Sequence, residues 1–409
     1  MSRRPRRLVG ALTLPILLAG CGLFGGGSSD LELVAGGGDD PQGTTGEDVR
    51  LGGVAVDLAV ADGMVYLLAS TGGDRRLVTV APDGSVTHQP LDFPAAQYVA
   101  AGPAGEVYAA SKNEIRRLDT DPDEALIVSV DSGAAENSDA LVTDGSIQGL
   151  AVDADGHPIW TESFLGAGPD GAEPPLVRIN RLVGGEVEHV AGASETAVDG
   201  HELVGLRTTP PEGVTAVDLP LRAIGRGGAL AAGEAGIFIG SSDGILRIGD
   251  DGSVASVVGP ADREAPDAPF DDERDAREFG GGWEAGGDLD TSGEVLVGVQ
   301  STFSSQIVDV GAFDWSGDFT DGAEDVAAKI VRGPRADGSF DLDADRSPYG
   351  DVAVVIHDGR AATAMAHVTR VAIDDGRLYA VGQTRGYGDS DADDAEMLIV
   401  AMELPDDWR

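Results

Sequence analysis

The chain has 409 residues, of which 71 are Asp or Glu and 28 are Lys or Arg, giving a formal net charge of −43 at pH 7. A field of that sign repels phosphate backbones and anionic headgroups, which argues against nucleic acid as a partner and against a basic membrane-binding face. Glycine supplies 60 residues and aromatics only 5 % of the chain, so the backbone turns often around few large rings.

At the N-terminus, Arg3, Arg4, Arg6 and Arg7 precede an apolar run from Leu8 to Ala19, interrupted by Gly10, Thr13 and Pro15. The run falls short of the about 20 residues that a spanning helix needs. A basic start, an apolar middle and a small-residue end read as a secretory signal over residues 1–20. Cys21 is the sole cysteine, with Leu18, Ala19 and Gly20 before it and Gly22 after it. This stretch resembles the lipobox of bacterial lipoproteins. The resemblance implies that Cys21 receives a thioether-linked diacylglycerol, becomes the mature N-terminus and is N-acylated, so that the bilayer is its first partner. It also implies a cell-membrane location, lipid-anchored on the extracytoplasmic face. Two or more acyl chains make a stable anchor, at about 0.8 kcal/mol per buried methylene. With its only thiol so used, the domain has no disulfide and rests on packing. Residues 21–30 are then the lipidated cysteine and a Gly/Ser-rich tether. Past residue 20 the chain carries all 71 acids against 24 of the 28 bases.

From residue 31 onward one pattern recurs. "GGVAVDLAVADGMVYLLAS" (52–70) leads to "RLVTVAPDGSVTHQ" (76–89), and "QYVAAGPAGEVYAAS" (97–111) to "NEIRRLDTD" (113–121). "IQGLAVDADGHPIWTES" (147–163) leads to "LVRINRLVGGEVEHVAG" (176–192). Residues 228–259 hold the pattern without an insertion, and 285–301 and 368–384 begin it twice more. Asp62-Gly63, Asp83-Gly84, Asp155-Gly156, Asp243-Gly244, Asp251-Gly252 and Asp375-Gly376 sit between β-prone runs, where glycine supplies the positive φ of a tight turn. Long amphipathic helical patterns are nearly absent, and 323–331 ("AEDVAAKIV") is the best helical stretch.

Four short strands per repeat cannot bury both faces of a sheet, whereas sheets packed radially around an axis bury each other. The expectation is therefore an all-β, six-bladed propeller of four-stranded blades over 31–404, with 405–409 as a tail. Val65, Val107, Ile159, Ile237, Val295 and Leu378 mark six second strands, spaced by 42, 52, 78, 58 and 83 residues. The two longest gaps leave room for a seventh blade, notably around 350–366. "LELVAGGG" (31–38) reads as an outer strand with no blade before it, and "MLIVAMEL" (397–404) has no outer partner after it. Pairing them closes the ring and satisfies both edges. "NEIRRLD" (113–119), "DGILRIGDDGSVASVVG" (243–259) and "VEHVAG" (187–192) resemble NHL-type propeller blades. That family's members bind proteins or RNA or serve as scaffolds, and related six-bladed folds include lactonases.

Chemistry is sparse. No G-x-S-x-G elbow is present, and His88, His157, His189, His201, His357 and His367 show no metal-ligand spacing. "DLDADRSPYGD" (341–351) starts like a calcium loop at Asp341, Asp343 and Asp345, but Arg346 stands where glycine is needed and Val352 where Glu is needed. "DSDADDAE" (389–396) fails in the same way. The expected cofactor is none beyond weak calcium association, and any metal site is unknown. Glu162 and Asp153 are carboxylates that a channel would take, and Asn113, Asn137 and Asn180 are the only asparagines. Trp160 stands inside a strand and reads as filling. Trp283 and Trp315 stand beside glycine-rich connections and read as partner-binding residues. The sequence thus favours a membrane-anchored extracytoplasmic binding or scaffold lipoprotein, with an unknown envelope protein or ligand as partner and no enzymatic activity. The alternative is a metal-dependent propeller hydrolase of lactonase type.

Overall fold

The computed structural model describes residues 31–121, 124–130, 141–142, 145–164, 176–192, 215–219, 221–222, 230–241, 244–258, 274–276, 289–300, 352–358, 360–366, 368–383 and 396–409. Two strands come first, β1 (Leu31–Gly36) and β2 (Leu51–Gly52), and their partners lie at the far end of the chain. Blade 1 is the meander β3 (Val54–Ala61), β4 (Met64–Thr71), β5 (Asp74–Val80) and β6 (Val86–Pro90). Blade 2 is β7 (Tyr98–Ala101), β8 (Val107–Ala110), β9 (Glu114–Arg117) and β10 (Leu126–Ser129), with β11 (Leu141–Val142) parallel to its outer edge. Blade 3 is β12 (Ser146–Val152), β13 (Pro158–Phe164), β14 (Leu176–Val183) and β15 (Glu186–Ala191), and β16 (Leu221–Arg222) extends the edge of β14. Blade 4 is β17 (Leu230–Gly233), β18 (Gly236–Ser241), β19 (Gly244–Ile248) and β20 (Val254–Val258).

In blade 5, β21 (Arg274–Asp275) lies outside a meander formed by β22 (Leu289–Ser292), β23 (Val295–Gln300), β24 (Val352–His357) and β25 (Arg360–Ala366). The segment that left room for a seventh blade supplies β24 and β25 instead. β24 pairs with β23 across the whole of 301–351, with Leu296 opposite Ile356. Blade 6 is β26 (Val368–Asp374), β27 (Arg377–Gln383) and β28 (Glu396–Glu403), and its fourth strand is β1, with β2 beside it on β28. The first strands β3, β7, β12, β17, β22 and β26 lie side by side in that order, and β26 returns to β3. The ring of six is closed.

Side-chain alternation explains why these sheets stack. On β28, Leu398, Val400 and Met402 join the core shared with blade 5, while Met397, Ile399 and Ala401 join the core shared with blade 1. Period-two alternation sends one set to each face. Each of the six seams between neighbouring blades holds its own apolar cluster. Closure depends on Gly36, whose φ of +102° is open to glycine. A Cβ there meets the Met397 carbonyl oxygen at 2.4 Å, so β1 lies against β28 with no space for a side chain at this residue. Glu32 adds a bond at 2.6 Å to Arg377 on β27.

Candidate functional site

Strand direction divides the ring into two unlike ends. Connections from first to second strand and from third to fourth strand gather at one end, and the longest of them is 118–125. Connections from second to third strand and from blade to blade leave from the other end. They include 165–175, 192–229, 259–288, 301–351 and 384–395. β1 runs antiparallel to β28, so it starts at the short-turn end.

The first strand of each blade pairs on one edge only, and the N–H and C=O groups of its inner edge need other partners. Charged side chains provide them on three consecutive blades. The guanidinium of Arg370 on β26 donates from Nε to the Val56 carbonyl on β3 at 2.6 Å, and also bonds the carbonyl of Thr369. Asp57 Oδ2, nearly buried on β3, accepts from Val99 N on β7 at 2.7 Å. Asp374 Oδ2 accepts from Gly63 N at 2.7 Å. Each of these reaches the next blade round the ring. Bulges at Val56 and Thr369 set Asp57 and Arg370 at equivalent places on their strands.

Asp290 on β22 belongs to the same series and differs in its chemistry. Its Oδ1 accepts from Thr291 N and its Oδ2 from Ile373 N on β26, both at 2.8 Å. Burial pushes its carboxyl up from 3.8 to about 7, and the negative charges of Asp374 and Asp57 push the same way. The two N–H bonds favour the carboxylate and oppose that rise without cancelling it. Counting back from their two-residue turns, blade 1 has Ala59 and blade 6 has Ala372 at this place. A carboxyl stands where small apolar residues serve elsewhere.

The sequence-derived residues fall differently. Cys21, Trp283, Trp315, the helical stretch 323–331 and the acidic run 341–351 lie outside the described residues, as does nearly all of 389–396. Glu162 does not line the axis: it is buried on β13, where it accepts from Trp160 Nε1 at 2.7 Å, and Trp160 fills the seam between blades 2 and 3. Asp153 organises its own turn, accepting from Asp155 N and His157 N, and pairs with Arg181. Asn180 is buried with His189 beside it at 3.4 Å, and Asn113 lies in the connection between β8 and β9. Among the described residues no three His, Cys, Asp or Glu side chains are placed to share an ion. Asp57, Asp290 and Asp374 are each tied to main-chain N–H groups, so the described residues do not fit the ion of a lactonase-type centre.

No family profile matches the chain, so the NHL resemblance has no such support, and no curated protein matches it either. Solved structures similar to it include a luciferin-regenerating enzyme, at 11 % identity and a TM-score of 0.46, over 88 % of this chain and 95 % of that one. A gluconolactonase from Xanthomonas campestris matches at 13 % identity and 0.42, over 93 % and 91 % of the two chains. Virginiamycin B lyase from Staphylococcus aureus matches at 12 % and 0.38, over 92 % and 100 %. Such likenesses are of fold and carry no argument about substrate. They do correct one expectation. Solved chains that resemble this one repeatedly belong to enzymes, so the ring gives no ground for a non-catalytic assignment, and that assignment is withdrawn.

Proposed function

We propose that this protein is a lipid-anchored, extracytoplasmic propeller that takes a small ester or lactone between the innermost strands of its ring and hydrolyses it at Asp290. One observation carries the proposal: a carboxyl poised near neutrality, Asp290, sits among the innermost strands of a ring whose long connections all leave from one end. Groups with protonation poised near working pH are the ones general acid–base catalysis needs, and they concentrate at functional sites. In this account the Asp290 carboxylate takes a proton from water as the water oxygen adds to the carbonyl carbon. It returns the proton to the leaving alkoxide as the C–O bond breaks. Arg370 and Asp57, on neighbouring first strands, set the charge around the entering substrate.

Orientation follows from topology. β1 starts at the short-turn end, so a tether over residues 22–30 from an acylated Cys21 holds that end towards the bilayer. The long connections then face away from the membrane. Weak calcium association with the acidic runs 341–351 and 389–396 is part of the proposal, as an effect on those runs and not on the hydrolytic step. The acid excess favours a second reading, in which a cationic envelope component docks on the outward end; association that slows steeply with salt supports it.

A panel of lactones and carboxylic esters, offered to the purified protein and to the Asp290→Asn variant, tests the hydrolytic proposal. Turnover by the parent and its loss in the variant are expected. Absence of turnover across the panel, or equal turnover by both proteins, defeats it.

A further inference from the structure

The loop 37–50, between β1 and β2, leaves blade 6 and lies on the β5–β6 hairpin of blade 1. Three of its residues are buried, Gly43, Gly46 and Val49. A Cβ on Gly46 collides with the Val34 carbonyl oxygen, so the loop is drawn tight against β1. Its hold on blade 1 is brief. Gly46 N donates to the Gly84 carbonyl at 2.9 Å, Val86 N donates to the Thr44 carbonyl at 2.8 Å, and Thr45 bridges Ser85.

His88 on β6 lies opposite Val78, and alternation puts it on the same face as Arg76, Val78 and Val86, towards blade 6. Both of its ring nitrogens are buried, and neither has a hydrogen-bond partner among the described residues. Arg76 donates from Nη2 to the Gly52 carbonyl on β2 at 2.6 Å, while its Nε is buried and likewise unpartnered among the described residues. Three orphaned polar atoms thus gather where the loop and β2 meet blade 1, and such atoms call for an explanation. Burial and the Arg76 charge disfavour the imidazolium and hold His88 below its ordinary 6.5; the Gly43 carbonyl beside it favours the charged form and does not prevail. No carboxylate holds that form either. Asp39, Asp40, Glu47 and Asp48 of the loop are exposed, with Asp40 accepting from Gln42 N and Asp48 from Thr45 Oγ1. Asp83 on the β5–β6 turn accepts from Ser85 N, and Arg50 is exposed. From β1, β2 and β28 the same core receives Val34, Ala35, Leu51, Met397 and Ile399, none of which titrates.

We propose that loop 37–50 is an acid-released clasp between blades 6 and 1. In mild acid the His88 ring takes a proton, does not stay charged under Gly43 beside Arg76, and turns out to water, and the loop lifts from the β5–β6 hairpin. β1 keeps its own ladder on β28, so the ring stays closed while the seam under the loop opens. The direction follows from linkage. A histidine held below its unfolded value favours docking above about pH 6.5 and withdraws that support as pH falls. Asp290 acts the other way with pH and bridges blades 5 and 6, so the two responses are separable. The clasp does not depend on the hydrolytic reading.

Hydrogen exchange on the full chain at pH 7.5 and pH 5, corrected for the pH dependence of the intrinsic rate, tests the inference. The reporter amides are Gly46 and Val86, whose bonds cross the interface, and the control amides are those of β1 on β28. In the parent, reporter protection is expected to fall several-fold at pH 5, by at most about thirtyfold at one decade per pH unit below 6.5, while control protection holds. His88→Gln and His88→Phe, which cannot take the proton, keep reporter protection equal at the two pH values. A proton magnetic resonance titration of the His88 ring in the parent, with a midpoint expected below 6.5, decides the matter where neither variant folds. Equal reporter protection in the parent at both pH values, an equal fall in the control amides, a fall in both variants that matches the parent's, or a midpoint at or above 6.5 overturns the inference.

Discussion

Asp290 makes the stability of this protein depend on pH in a direction opposite to that of an ordinary paired carboxylate. A carboxyl raised from 3.8 to about 7 in the folded state holds its proton more tightly there than in the unfolded chain. Stability from this group is therefore fully present below about pH 4 and is lost as pH rises to about 7, above which it stays low. At about 1.4 kcal/mol per decade the gap corresponds to about 4 kcal/mol. Asp290 as a residue is only partly buried, and screening brings the expected loss nearer to about 2 kcal/mol. Asp290→Asn cannot ionise. It gives up one acceptor for the N–H of Thr291 or Ile373, costing about 1 kcal/mol at every pH, and it abolishes the pH-dependent loss. Urea unfolding followed by tryptophan emission suits the question, because Trp160 and Trp408 are both buried. Between pH 4.5 and pH 8, the parent should lose about 2 to 4 kcal/mol more than the variant. Contributions from groups that do not interact with Asp290, including Asp83, Asp119 and Asp251, whose carboxyls are held low, are common to both proteins and cancel. Parallel pH curves for the two would refute the placement of Asp290 as a carboxyl forced towards its neutral form.

Gly36→Val forces a β-branched side chain onto a φ of +102° and into the Met397 carbonyl. It should loosen β1, cost at least about 2 kcal/mol and expose 31–36 to limited proteolysis; unaltered resistance would count against closure by β1. Trp160→Phe removes the donor held by the buried Glu162 carboxylate and should destabilise by about 1.5 to 3 kcal/mol in urea unfolding. A change within a few tenths of a kcal/mol would mean that Glu162 has another adequate donor. Cys21→Ser should leave unfolding unchanged and move the protein out of the membrane fraction, and an unchanged membrane fraction would defeat the anchor.

The ring was legible in the sequence because its grammar is local. All six markers, from Val65 to Leu378, fall on the second strands β4, β8, β13, β18, β23 and β27. Asp62-Gly63 and Asp375-Gly376 form two-residue turns with both residues at positive φ, as hairpins demand. Asp83 and Asp251 serve wider turns, accepting from the N–H two residues on. What local grammar does not convey is pairing at a distance. β24 joins β23 over 301–351, and a strand whose partner lies that far back looks like the start of a new blade. The two-residue strands β2, β11, β16 and β21 leave no period to read. Asp290 did leave a signal in "DLDTSGEV", a carboxyl three residues before a turn where other blades have alanine. Seeing it required knowing that the place packs between first strands, which only the register supplies.

The rate profile of hydrolysis against pH tests the account most directly. With the best substrate from the lactone and ester panel, kcat/KM should rise through about pH 7 as Asp290 becomes a carboxylate able to act as base. In Asp290→Asn that limb should vanish together with at least about a hundredfold of the rate. A parent profile that is flat between pH 5 and pH 9, or an Asp290→Asn variant that keeps both the rising limb and the rate, would contradict the claim that this carboxyl does the chemistry.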